Sequence, residues 1–325
     1  MCDLRVRVSA PSRLHLGDID PFGIGRFGYA PLLAIDAPRT IVDAADAEGL
    51  EVKAEGGGEA EGYARRVVEA LSLPGANVSV PSTPPRHSGF GSTTSLALSI
   101  GKAVAMAYSR DVDALQLLKM TGRTSTGGVH TFQSGGFALT GGLKVKLGEP
   151  LFEREQPLYP PLIVRLQFPE DWRFVLVTPR QAKVGPHGDS EEETFRSLRV
   201  RKPPTALIHK AYFIVASKMV PAILEENPKA FGEALTEVQV TVGKIYEPVQ
   251  GSIFNPSSQW IIPHLKSHGA LGLGQSSWGP TVYAFLDGDG EALKMKSRLE
   301  KELKRKASIS VARPDNVGVI ATRLD

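Results

Sequence analysis

Pro85-Arg-His-Ser88-Gly89-Phe-Gly91-Ser92-Thr93-Thr94-Ser95 runs directly into a segment whose apolar residues Leu96, Ile100, Ala103, Val104 and Ala107 recur at helical spacing. The spacing predicts a helix over 93–108 with two glycines just before its start. Glycines there permit positive-φ conformations that turn successive backbone N–H groups toward one point, and a helix N-terminus adds partial positive charge and unpaired donors. One such contribution is worth only about 0.3–1 kcal/mol at an exposed site, so several donors must converge to hold a polyanion. An N-cap with a tight turn is the plainer reading. Ser92 to Ser95, four hydroxyl residues in a row, exceed what capping requires, so Ser88, Gly89, Gly91, Ser92, Thr93 and Thr94 are taken as a phosphate site. It is not a Walker A loop, because no Gly-Lys-Ser/Thr closes it.

Upstream of this stretch lie an alternating strand, Leu4 to Ser9, a glycine-punctuated loop from Gly17 to Gly28, an apolar run from Tyr29 to Ile35, a helix over 63–71 and a strand over 76–81. Downstream, a second glycine-rich piece, Thr121 to Gly142, leads into an expected strand at Leu143 to Leu147. The prolines at 150, 157, 160 and 161 then mark a border, dividing the chain into domains of residues 1–155 and 156–325. The second half reads as a strand at Arg173 to Thr178, a polar loop from Pro179 to Thr194, and a helix from Ala206 to Glu225 kinked at Pro221. A helix from Pro228 to Tyr246, a strand at Thr281 to Leu286, a charged helix from Gly290 and two closing strands follow. Helices and strands mix without a repeat, which favours an α+β fold of helices on an antiparallel or mixed sheet.

The chain has 325 residues, enough for about two domains. Its 38 Lys and Arg against 35 Asp and Glu leave a net charge of +3, with no basic stripe carrying interleaved aromatics, so nucleic acid is not an expected partner. A single cysteine, Cys2, excludes an intrachain disulfide. No apolar run reads as a membrane span, no signal-peptide core stands near the N-terminus, and a cytoplasmic protein without a membrane partner is expected. The apolar helix faces of the second half suit either a homodimer interface or burial within one chain.

Three stretches in order, Ala10-Pro-Ser-Arg-Leu-His-Leu-Gly17, Pro85 to Ser95, and Gly272-Leu-Gly-Gln-Ser-Ser-Trp-Gly-Pro280, resemble the three motifs of the GHMP small-molecule kinase superfamily. The resemblance implies a two-domain fold, an N-terminal domain like domain 2 of ribosomal protein S5 and a ferredoxin-like α/β sandwich behind it. Many superfamily kinases place a catalytic aspartate in a Ser-Gly-hydrophobic-Asp segment, where this chain has Ser125-Thr126-Gly127-Gly128. Within the superfamily the chain is similar to the β-ribofuranosylaminobenzene 5'-phosphate synthases, in residues 11–20, 122–137, 230–239 and above all Gln275-Ser276-Ser277-Trp278-Gly279-Pro280-Thr281. It departs from that family after Gly25-Arg26 and at Thr93-Thr94-Ser95.

The second resemblance implies a phosphoribosyltransferase of tetrahydromethanopterin-type cofactor biosynthesis. It would join 5-phosphoribosyl diphosphate to 4-aminobenzoate or a related 4-substituted benzoate, releasing CO2 and diphosphate. Such a reaction removes no proton from a hydroxyl nucleophile, which suits glycine at 128. It does need the leaving diphosphate stabilised by backbone donors, cations and Mg²⁺. Asp18 and Asp20 are the candidate Mg²⁺ ligands or stabilisers of positive charge at C1, with an Asx turn before Pro21 as the plain alternative. Arg13 and Arg26 are candidates for paired hydrogen bonds to carboxylate or phosphate, and Arg123 and Ser125 belong to the same expected site. Gly272, Gly274, Gln275, Ser276 and Ser277 form the expected second phosphate loop, with His15 and Trp278 as lining. His87 and His130 read as surface residues, and Glu191 to Glu193 as a solvated helix start. The competing reading is an ATP-dependent small-molecule kinase.

Overall fold

The computed structural model describes residues 5–55, 58–123, 128–144, 159–182, 185–187 and 189–324. In chain order the first layer is β1 (Arg5–His15), β2 (Phe27–Ala45), β3 (Leu50–Lys53), α1 (Gly58–Ala70), β4 (Ala76–Ser82), α2 (Ser92–Ala107), α3 (Ala114–Thr121), α4 (Val129–Ser134), β5 (Phe137–Leu143) and β6 (Leu162–Leu166). The second layer follows as β7 (Trp172–Pro179), α5 (Asp189–Arg199), α6 (Thr205–Ile214), a π-helical turn at Val215–Met219, α7 (Val220–Leu224) and α8 (Pro228–Gln250). It continues with α9 (Ile262–Ser267), β8 (Gly272–Gln275), β9 (Val282–Asp287), α10 (Asp289–Leu303) and β10 (Ala307–Ala312), before β11 (Ile320–Leu324).

The first sheet runs β11-β1-β2-β4-β3, with β5 and then β6 added along the other half of the long strand β2. All its pairings are antiparallel except β3 with β4, which α1 joins as a crossover. The second sheet runs β10-β7-β9-β8, wholly antiparallel. Alternation along β1 puts Val6 and Val8 inside, against Val42, Val78, Leu96, Ile100 and Val104, and Ala10 inside against Leu98, Ala105 and Phe132. α2 is buried nearly all round because it lies between this sheet and α1 and α3, so its pattern reads as apolar on more than one face.

A second core spans both layers. Leu14, Leu16, Ile19 and Phe22 of the first meet Phe168, Trp172, Phe174, Phe231 and Phe285 of the second. Full burial of a side chain of this size is worth about 1.5–3 kcal/mol. Phe231 sits edge-on to Phe168 at 5.2 Å and to Phe285 at 4.8 Å.

Three expectations change. The strand expected at Leu143 to Leu147 runs instead over Phe137–Leu143, opposite Phe27 to Leu33 of β2, and residues 145–147 lie outside the described residues. The sheets do not divide at residue 155. β6 pairs with β5 and β11 pairs with β1, so two segments from beyond that border complete the first sheet at its edges. Finally, Thr205–Leu224 is one 20-residue helix, long and apolar enough by length and composition to cross a membrane. Its Ile208, Ala211, Ile214, Val215, Met219, Ala222 and Ile223 are packed in the shared core.

Candidate functional site

A cavity of about 690 Å³ opens between the layers. Its first half is built on the start of α2. Gly91 caps that helix in the left-handed conformation, φ 72°, which a side chain would strain, and no side chain caps the helix, so the first-turn N–H groups keep their donors for a ligand. Gly89, Gly91, Ser92, Thr93 and Thr94 line the cavity. Beneath them lies Arg13, whose Nη1 donates to the Gly89 carbonyl at 3.0 Å and whose buried Nε has no partner. Burial lowers the Arg13 pKa to about 10, partly opposed by the charge of Glu191. Arg123, just past the end of α3, reaches Thr94 Oγ1 and the Tyr63 hydroxyl at 3.5 Å each, and its buried Nε is likewise unpartnered. Two guanidinium groups beside an uncapped helix start form an anion cradle.

The other half is aromatic. Phe27, Phe195, Tyr246 and Trp278 line it together. Phe195 stands edge-on to Phe27 at 5.2 Å and to Trp278 at 5.8 Å, and Tyr246 meets Trp278 at 4.9 Å, nearly perpendicular. Trp278 is held at both ends: its Nε1 donates to Glu191 Oε1 at 2.9 Å, and its carbonyl accepts from Asn255 Nδ2 at 2.8 Å. Gln275 lines the cavity while its Nε2 donates to Gln250 Oε1 and to the Ser277 carbonyl, which ties the loop to the end of α8.

Asp18 lines the cavity between these halves. Burial pushes its pKa up to about 7; the nearby Tyr246 hydroxyl opposes this, and Asp20 and Glu191 reinforce it. Its Oδ1 is buried without a partner. His15 is neutral, its pKa driven down to about 3 by burial and then by Arg13, and its Nδ1 accepts from the Gly17 amide at 3.4 Å.

Several expected site residues stand elsewhere. Asp20 is fully buried, and its two oxygens accept from the amides of Gly23, Ile24, Gly25 and Arg26. It shapes its loop, as an Asx turn does, and lacks a free oxygen for a metal. The Arg26 guanidinium donates to the carbonyls of Gly141 and Gly142 in β5; Gly142 lines the cavity, and Arg26 itself is not among the lining residues. Ser88 donates to the Arg86 carbonyl.

Of the third glycine run, Gln275, Ser277 and Gly279 line the cavity, and Gly272 and Gly274 are not among its lining. Gly272 and Gly274 lie within β8, where a Cβ would come within 2.6 Å of the Gly232 carbonyl and of the Gln239 side chain, so they are glycine to let α8 approach the strand. Ser276 is buried, accepting from the His15 amide at 3.0 Å and donating to the Gly89 carbonyl at 2.6 Å. It clasps the two layers together. Ser125 lies outside the described residues.

Other residues were missed or misread. Glu191 and Phe195, one turn apart on α5, face the cavity where a solvated helix start was expected. Their i, i+4 spacing was the available signal. His130 is buried against the Pro160 carbonyl at 2.8 Å, whereas His87 is exposed and stacks on His187 at 3.9 Å at the cavity wall.

Among the described residues, no group of three or more His, Cys, Asp or Glu side chains is gathered for a metal. Mg²⁺ bound through one carboxylate and substrate phosphates is nonetheless compatible with Asp18, whose orphaned oxygen is the donor type that ion takes.

A layered fold with an uncapped, glycine-led helix start over an interdomain cavity is that of the GHMP proteins. Residues 60–141 match the GHMP kinases N terminal domain and residues 219–305 match the GHMP kinases C terminal family, and the chain belongs to the GHMP kinase superfamily. More particularly, it is 30% identical to the beta-ribofuranosylphenol 5'-phosphate synthase of Methanothermobacter thermautotrophicus, over 86% of this chain and 88% of that one. It is 29% identical to the enzyme of the same name from Methanocaldococcus jannaschii, over 86% and 89%. A homoserine kinase of Methanopyrus kandleri is 29% identical over 87% and 88%. Among solved structures, Leishmania major mevalonate kinase superposes with a TM-score of 0.70 at 14% identity, over 95% of this chain and 96% of that one. A homoserine kinase from Cytophaga hutchinsonii gives 0.67 at 15%, over 98% and 97%, a likeness of fold alone.

Proposed function

We propose that the protein is a phosphoribosyltransferase that joins 5-phosphoribosyl diphosphate to a 4-substituted benzoate, releasing CO2 and diphosphate, in the biosynthesis of a methanopterin-type cofactor. The observation that carries this reading is the division of one cavity into an anion cradle and an aromatic box. A donor made of phosphates and an acceptor made of a benzene ring need those two surfaces side by side. The names of the synthases to which the chain is similar support a 4-substituted benzoate as acceptor: 4-hydroxybenzoate would give a ribofuranosylphenol product, and 4-aminobenzoate is the alternative.

In this reading the amides of residues 92–94, Arg13 and Arg123 hold the donor's diphosphate and stabilise it as it leaves with the electron pair of its bond to C1. Trp278, Tyr246 and Phe195 orient the aromatic ring so that the carbon bearing its carboxylate faces C1. The new C–C bond forms with ring electrons, and the carboxylate departs as CO2, returning its electrons to the ring. Mg²⁺, held by Asp18 and the diphosphate, would supply further charge neutralisation.

The test is release of ¹⁴CO2 from carboxyl-labelled 4-hydroxybenzoate and 4-aminobenzoate. Release that depends on 5-phosphoribosyl diphosphate is expected; none from either acid would sink the proposal. The similarity to a homoserine kinase keeps ATP-dependent phosphorylation of a small alcohol as a second reading. The same protein then consumes ATP with homoserine and releases no CO2.

A further inference from the structure

We infer that Glu191 is the carboxylate that stabilises the positive charge developing at the ribosyl C1, an inference that rests on the phosphoribosyl-transfer reading. Its position is the argument. Glu191 lines the cavity from α5, bonded to Trp278 of the aromatic half, and its charge acts on Arg13 and Arg123 of the anion cradle and on Asp18 between the halves. It therefore stands at the junction of the two halves. C1 must pass through that junction, because the bond to diphosphate breaks toward the cradle and the bond to the ring carbon forms from the aromatic side.

The side chain is also fixed. Trp278 Nε1 donates to Oε1 at 2.9 Å, and among the described residues Oε2 makes no hydrogen bond, so one oxygen anchors the group and the other is left to face the substrate. Phe195, one turn further along α5, packs on Phe27, Tyr246 and Trp278 and sets the distance of the helix from the wall.

The step balances without a proton donor or acceptor. The C1–O bond breaks and its electron pair leaves on diphosphate, while positive charge spreads over C1 and the ring oxygen of the ribose. A pair of aromatic electrons then forms the C1–C bond, and loss of CO2 restores the ring. Glu191 remains a carboxylate throughout and acts by charge. Placed and anchored where charge develops, such a group needs no reorganisation as the reaction proceeds.

The substitution Glu191→Gln removes the charge and keeps an oxygen for Trp278. In the ¹⁴CO2 assay, with wild type run beside it, the variant is expected to lose about 10²–10³-fold in kcat while its KM for 5-phosphoribosyl diphosphate stays within about threefold. A kcat within about threefold of wild type would show that Glu191 only holds Trp278, and would overturn the inference. Should the variant melt well below wild type, Glu191→Asp decides. Activity at least about tenfold above that of the Gln variant supports a charge effect, and equal loss in both overturns it. A wild-type protein that releases no CO2 refutes the parent reading, a result distinct from an active wild type with an unaffected variant.

Discussion

Asp18 and Asp20, two positions apart in one loop, show how little residue type says about role. Asp20 meets four backbone amides and is closed to any ligand, whereas Asp18 has an unpartnered oxygen in the cavity. The sequence offered both as candidates and favoured Asp20; the difference comes from the turn that only one of them closes. Burial raises the folded pKa of Asp18 to about 7, above its value in the unfolded chain, so the folded state takes up a proton between roughly pH 4 and pH 7. Stability is therefore lost as pH rises through that window. Asp18→Asn is expected to stabilise the ligand-free protein by about 1–4 kcal/mol at pH 8 and by almost nothing at pH 4, measured by urea unfolding at both. A variant no more stable than wild type at pH 8 would contradict the strained, desolvated carboxylate described above. Arg123 carries a complementary prediction: Arg123→Ala should weaken binding of diphosphate by about 10–100-fold in calorimetry, since charge-assisted bonds contribute about 1.5–3 kcal/mol.

Elements built on a clear period were legible. The helix of residues 92–107 was placed from five apolar positions, and the strands after Trp172 and Thr281 from short continuous apolar runs, as strands buried on both faces show. The glycine run at Gly272 and Gly274 was not, because a phosphate loop and a strand pressed against a helix call for the same residue. Only the neighbours separate them: here Gly232 and Gln239 of α8 leave no room for a Cβ. The strand β8 and the helix α8 thus depend on the missing side chains. Gly274→Val should cost about 1–3 kcal/mol or more in stability by overpacking, read as a lower midpoint in urea with little change in slope. Ser276→Ala should cost about 1–3 kcal/mol, because it leaves the buried carbonyl of Gly89 and amide of His15 short of a partner. A neutral Gly274→Val would mean that β8 and α8 are not pressed together there, and a neutral Ser276→Ala that the layers do not bear on each other at that serine.

At the scale of the whole molecule, the sequence conveyed two layers and their motifs but not how they interlock, since pairings such as β1 with β11 join residues from opposite ends of the described chain. The cavity between the layers couples ligand binding to the entire fold. A ligand at about 100 times its Kd adds about 2.7 kcal/mol to stability, so 5-phosphoribosyl diphosphate with Mg²⁺ should raise the melting temperature, and Arg13→Ala should abolish most of that rise. The pairing of β1 with β11 has a consequence in time as well as in space. A ribosome makes Arg5–His15 first and Ile320–Leu324 only after the second layer has been synthesised, about 15–60 s later at ordinary rates. Once β2 to β6 have been made, the nascent first sheet presents an edge along β1 that stays uncovered until Ile320–Leu324 arrives, open to any passing strand.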